Sequence, residues 1–213
     1  MNPEIVKLLR ESAEWRLIAL LLESPNRSWH AQVGRLAAVV LEPDLKSAAE
    51  TAALEADETL YHTTFGPGGP AAPREVSYQK GGLPGALLGE IAGYYNAFAY
   101  TPSLSEAPDH IAVEAGFVAY LRLKEAYARQ RGQAEQAQVA ALAARHFLAR
   151  HINRMAEPLA RSLAQSGIRY LTLVSAALHK RAGSRPEGPL DEEAPEAGCV
   201  AEGGCAFANE ELP

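Results

Sequence analysis

Long apolar runs are missing from this chain. The longest, LIALLL at 17–22, is far short of the roughly 20 residues a membrane-spanning helix needs. The N-terminus MNPEIVKLLRESAEW has no basic head leading into an apolar stretch and a small-residue cleavage site, so no secretory signal is read and a cytoplasmic protein is expected. Cysteine is scarce. The two present, Cys199 and Cys205, sit together in CVAEGGC. Two thiols can form a small disulfide loop or make half of the four-ligand set that closes a structural zinc site. In a reducing compartment they are expected to be free. No serine stands in a G-x-S-x-G elbow, and FGPGGP is no phosphate loop, because no G-K-[ST] follows and its prolines remove amide donors. Alternating strand patterns and internal repeats are also absent.

A basic excess is missing too. The net charge is −6 over 213 residues, unevenly spread. Residues 183–213 hold eight acids and one base, a net of −7, which leaves the first 182 residues at +1. A nearly neutral body gives no footprint for nucleic acid. An acidic, Pro/Gly-rich segment poor in large apolar residues is expected to be a disordered tail. The expected organisation is therefore one domain over 1–182 and a tail over 183–213.

What is present favours helix. Hydrophobic residues make up 47%, and alanine, leucine, glutamate and arginine are strong helix formers. Apolar positions at helical spacing predict helices over about 3–23, 29–41, 43–64, 85–98, 108–129 and 134–165, with a kink near Pro158, and a last one ending near Ala182. The fold class is all-α. Glycines and prolines between Gly66 and Gly85 exclude a helix there. A loop of that length inside a compact domain is uncommon and is often functional.

Two pieces carry candidate chemistry. In EAPDHIAVEAGFVAYL, the residues Glu106, Pro108, Asp109, His110 and Glu114 stand at the mouth of an otherwise apolar helix. Pro108 suits the first helical position, and an acid such as Asp109 suits the first turn. His110 and Glu114 are four apart and share a face, continued by Phe117 and Leu121. The plainest account is a helix start whose His110 bonds Glu114. A metal site would use His110 and Glu114 with His146 or His151, in a metal-dependent helical hydrolase, although no H-E-x-x-H motif is present. In RHFLARHINRMAEPLARSL, residues Phe147, Leu148, His151, Ile152 and Met155 share a broad face, which reads first as core.

Taken in order, these segments resemble the TorD/DmsD/NarJ-type cytoplasmic chaperones that mature molybdenum-containing oxidoreductases. The resemblance rests on YHTTFGPGGPAAPREVSYQ, GYYNAFAY, EAPDHIAVEAGFVAYL and HFLARHINRMAEPLARSL, and covers about residues 12–180. The sequence departs from the pattern at Met155, where tryptophan is frequent, and at Ala99, near which glycine is common. The resemblance implies a non-catalytic helical-bundle protein with no cofactor of its own. Its client would be the apo catalytic subunit of a DMSO-reductase-family enzyme, which carries molybdopterin guanine dinucleotide, or that subunit's twin-arginine leader. A monomer or a domain-swapped dimer is implied. Carboxylates bind guanidinium bidentately, and an apolar groove takes a following apolar run. Glu106, Pro108, Asp109, His110 and Glu114 beside Phe117 and Leu121 are thus the expected client-binding residues. Tyr61, Phe65, Gly66, Pro67, Tyr95 and His151 are expected as secondary groove or loop residues. Alanine at Asp109 and His110 is expected to weaken client binding without unfolding the protein, and the 66–85 loop to gate the groove or act as a swap hinge.

Overall fold

A computed structural model describes residues 2–79, 81, 83–103 and 105–183. The tail predicted over 183–213, with Cys199 and Cys205, lies outside the described residues apart from Gly183. Among the described residues the chain is helical, with helices α1 (Pro3–Leu21), α2 (Trp29–Val39), α3 (Pro43–Glu55), α4 (Glu58–Phe65), α5 (Pro84–Ala97), α6 (Ile111–Gln130), α7 (Ala134–Phe147), α8 (Asn153–Gln165) and α9 (Arg169–Ala182). The sole departure toward sheet among them is an isolated antiparallel bridge between Arg74 and His110. Among the described residues no helix is long and apolar enough to cross a membrane.

Local chemistry sets most helix starts. Pro3, Pro43 and Pro84 open α1, α3 and α5, where a missing N–H costs nothing. Side-chain oxygens of Asn2, Glu42 and Asp57 accept from the amides of Glu4, Leu45 and Leu60 at 2.9, 2.8 and 2.7 Å, satisfying donors that no helical carbonyl reaches.

Helix α6 runs through the core against α1, and the Ser12 hydroxyl donates to the Ala119 carbonyl between them at 2.8 Å. Leu17 to Leu22 on one side, and Ile111, Val113, Ala115, Phe117, Val118 and Leu121 on the other, are all buried. Burying a large aliphatic or aromatic side chain contributes about 1.5–3 kcal/mol, so this seam is the main apolar stabilisation. Its aromatic centre is Phe117, whose ring lies 4.8 Å from those of Tyr95 and Phe147 and 5.2 Å from that of Tyr100.

The structure corrects three expectations about the elements. The helix predicted over 43–64 is two helices, because Ala56 is extended and Asp57 caps α4 instead of continuing α3. The predicted break near Pro158 falls upstream. Residues Leu148–Ile152 form a π-turn, and α8 carries Pro158 within it. The extra residue in the wider turn brings His151 and Ile152 inward together, both fully buried, while Leu148 stays half-buried. Third, α6 starts at Ile111, not at Pro108. Pro108 and Asp109 lie in a turn, and His110 is the extended N-cap residue. Ala99, where the resembled pattern favours glycine, has φ +51°, a conformation that costs a residue with a Cβ.

Candidate functional site

Part of the 66–85 loop is tied down. Gly66 closes α4, and a Cβ there would strike the His62 carbonyl. Phe65 is buried and Pro67 is exposed. The chain then crosses the start of α6 as a strap, residues 71–79, which contains a short 3-10 turn at Glu75–Tyr78. Two backbone hydrogen bonds tie the strap to the start of α6. The Ile111 amide donates to the Pro73 carbonyl at 2.8 Å and the Glu75 amide donates to the Asp109 carbonyl at 2.9 Å, which together make the antiparallel bridge between Arg74 and His110.

Side chains lock this junction. Arg74 places Nε and Nη2 each 2.8 Å from Asp109 Oδ1, and the Val76 amide donates to Asp109 Oδ2 at 3.2 Å. The Asp109 carboxylate is fully buried, whereas the Arg74 side chain is 41% exposed. Asp109 therefore does not serve as a first-turn acid of a helix. It is a receptor for one guanidinium and one amide.

His110 faces the other way. Its Nδ1 accepts from the Ala112 amide at 3.1 Å, which caps α6, and its Nε2 lies 3.0 Å from the Tyr61 hydroxyl. With Nδ1 accepting, the proton sits on Nε2 and is donated to Tyr61. Tyr61 in turn donates to Glu106 Oε1 at 3.4 Å. Burial lowers the His110 pKa from 6.5 to about 4, against the opposing charges of Glu106 and Asp109, so the ring is neutral at pH 7. Burial and the Glu106 charge push the Tyr61 phenol up. Tyr95 completes the junction by donating to the Pro108 carbonyl at 2.8 Å.

A second buried network lies behind the strap. His151 Nδ1 is 2.9 Å from Glu75 Oε2, and Arg154 Nη1 is 3.5 Å from Glu75 Oε1. His151 Nε2 is 3.7 Å from Glu90 Oε1, and that carboxylate also pairs with Arg150. Glu114 belongs to this network, not to His110 as the sequence suggested. It is fully buried, and neither of its oxygens has a hydrogen-bond partner at normal geometry. Burial first, then the neighbouring Glu75 and Asp109 charges, raise its pKa well above 4.5, which favours the protonated acid in the folded state.

A carboxyl protonated in the folded state and ionised in the unfolded state lowers stability as pH rises above 4.5. Glu114→Gln keeps the shape and removes the proton, so its advantage over the wild type should grow from pH 5 to pH 8. Urea denaturation at both pH values checks this. An equal difference at the two would mean that Glu114 is ionised in the folded protein.

The predicted client-binding residues thus divide. Glu106 and Pro108 are exposed, whereas Asp109, His110, Glu114, Phe117 and Leu121 are buried. Burial also alters the expectation for the Asp109/His110 double alanine variant, since both side chains brace the fold. The alternative metal set does not converge. Both His110 nitrogens and His151 Nδ1 have other partners, and His146 is half-buried on α7. Among the described residues no group of three His, Cys, Asp or Glu is placed to hold a metal ion. Arg74, Glu75, Glu90 and Arg154 were missed from sequence. A signal for the first two existed, because Arg74 and Glu75 are the only charged residues between Gly66 and Gln79. A family model described as nitrate reductase delta subunit matches residues 25–161, from the approach to α2 through most of α8, and so includes the strap, the junction and the π-turn. No curated protein matches the chain.

Proposed function

The chain belongs to the nitrate reductase delta subunit family, a family of molybdoenzyme maturation chaperones, and from that premise we propose that it holds the apo catalytic subunit of one DMSO-reductase-family molybdoenzyme in the cytoplasm until cofactor is inserted. It contributes binding, not catalysis, and needs no cofactor of its own. The segment it grips is an arginine-bearing N-terminal stretch of the client, such as a twin-arginine leader. The grip is assigned to the exposed Glu106 and Pro108 and to Asp109, reached where Arg74 now stands, while the buried His110, Glu114, Phe117 and Leu121, with Tyr61, Phe65, Gly66, Tyr95 and His151 around them, hold that mouth in shape.

One observation carries the choice of an arginine. Asp109 already binds a guanidinium through both Nε and Nη2 of Arg74, a side-on arrangement that lysine cannot reproduce. Glu106, exposed and linked through Tyr61 to His110, adds a second carboxylate at the same mouth. Affinity capture from the native host, grown under anaerobic respiration with the full chain tagged, tests the proposal. Mass spectrometry should identify one large molybdoenzyme subunit. Repeated recovery of no such subunit under conditions where the enzyme is expressed would overturn it.

A further inference from the structure

We infer that the strap, residues 71–79, is an intramolecular occupant of the client site, and that an arginine-bearing client segment binds by replacing it. The inference rests on the proposed function and specifies how that site is regulated. Val76 packs part-buried against the core and the Glu75 side chain is buried against His151 and Arg154, but at the mouth of α6 the contacts of Pro73, Arg74, Glu75 and Val76 are polar. These residues make one guanidinium pair with Asp109, give amides to Asp109 Oδ2 and to the Asp109 carbonyl, and offer a carbonyl to Ile111. A peptide extended through one arginine and then turning, as the chain does after Arg74, would make the same four contacts in the same order. The bridge between Arg74 and His110 is a minimal strand pairing, the mode by which extended peptides add to an exposed backbone.

Exchange of like for like is energetically feasible where simple opening is not. Lifting the strap alone would leave a buried Asp109 charge unpaired, which is costly. A client arginine arriving as Arg74 leaves keeps that carboxylate paired throughout. The Arg74 side chain is 41% exposed, whereas Asp109 is fully buried, so the guanidinium is the accessible half of the pair and the natural point of entry. Glu75 ties the same strap to His151 and Arg154 on the π-turn and α8. Strap release is thereby coupled to the segment that carries the second buried network. A chain whose site is self-occupied binds client with an affinity reduced by the fraction of molecules that are open.

The test uses the full chain and a fluorescent synthetic peptide with two adjacent arginines followed by an apolar run, beside a counterpart with two lysines. Arg74→Gln removes the resident guanidinium without touching Asp109. It should bind the arginine peptide about tenfold more tightly than the wild type, and the lysine peptide should remain weak. Arg74→Lys, which keeps the charge and loses the side-on geometry, should fall between. Hydrogen exchange then distinguishes replacement from binding elsewhere. On peptide addition the Glu75 and Val76 amides should lose protection while the Ile111 amide keeps it, because its acceptor is exchanged and not lost. Unchanged affinity in Arg74→Gln, unchanged strap protection in the bound wild type, or no peptide binding by either chain would each overturn the inference. A tagged wild type that still captures the molybdoenzyme subunit while its strap stays protected retains the chaperone function and removes only the strap's role.

Discussion

Replacing Phe117 by alanine is expected to cost about 3–5 kcal/mol, the range for a fully buried phenylalanine truncated in a core. Phe117 has no exposed surface. Its ring meets Tyr94, Tyr95, Phe98, Tyr100 and Phe147, so five rings lose their common neighbour. These come from the end of α5, the turn after it and the end of α7. The space left cannot be closed by moving one side chain, which puts the cost toward the upper end of the range. Tyr127→Ala is the control on the same helix, because Tyr127 is 52% exposed and surface changes stay within about 0.5 kcal/mol. Urea midpoints of both variants check the contrast. Similar midpoints would mean that the aromatic centre does not hold α5, α6 and α7 together.

Asp109→Ala is expected to be the second most damaging change, at about 2–4 kcal/mol. A hydrogen bond to a charged group contributes about 1.5–3 kcal/mol, and here one carboxylate accepts from Arg74 and from the Val76 amide. Removing a partner from a buried ion pair costs about 3–5 kcal/mol. The exposed guanidinium can rehydrate, which lowers that figure. Because Arg74 and Asp109 act on each other, Arg74→Ala and Asp109→Ala should cost less together than the sum of the two alone. Additive costs in the double-mutant cycle would show that Arg74 and Asp109 stabilise the strap separately. Alanine at Asp109 removes the proposed client receptor along with the anchor of the strap, so Arg74→Gln, which keeps Asp109 and leaves it an amide donor, is the better probe of client binding.

The helices were legible wherever local chemistry marks them. Pro3, Pro43 and Pro84 announce helix starts, and apolar spacing places α1 and α6 in the core. The family was legible too, because the order of short motifs survives where single motifs are ambiguous. Long-range pairing was not. Nothing local to Asp109 shows that its partner lies 35 residues earlier. First-turn acids are common, so the helix-start account of Asp109 was the natural one and was displaced only by the strap. Glu114 illustrates the same limit. Its spacing from His110 suggests an i,i+4 bond, but His110 is turned to Tyr61 by its own capping of α6, and Glu114 is left with Glu75. The π-turn was invisible for a related reason. Pro158 is the one residue in that stretch with an obvious helix-breaking property, yet the register changes at Leu148–Ile152, where tertiary burial of His151 and Ile152 decides.

The account is tested most directly by measuring the affinity of the purified full chain for its captured molybdoenzyme subunit before and after cofactor insertion. A maturation chaperone must favour the apo form, since it shifts only those equilibria whose two states it binds differently. The expected result is apo binding at least about tenfold tighter, a coupling of about 1.4 kcal/mol. Equal affinity for the two forms would contradict the account and leave the protein an assembly partner with no role in loading cofactor.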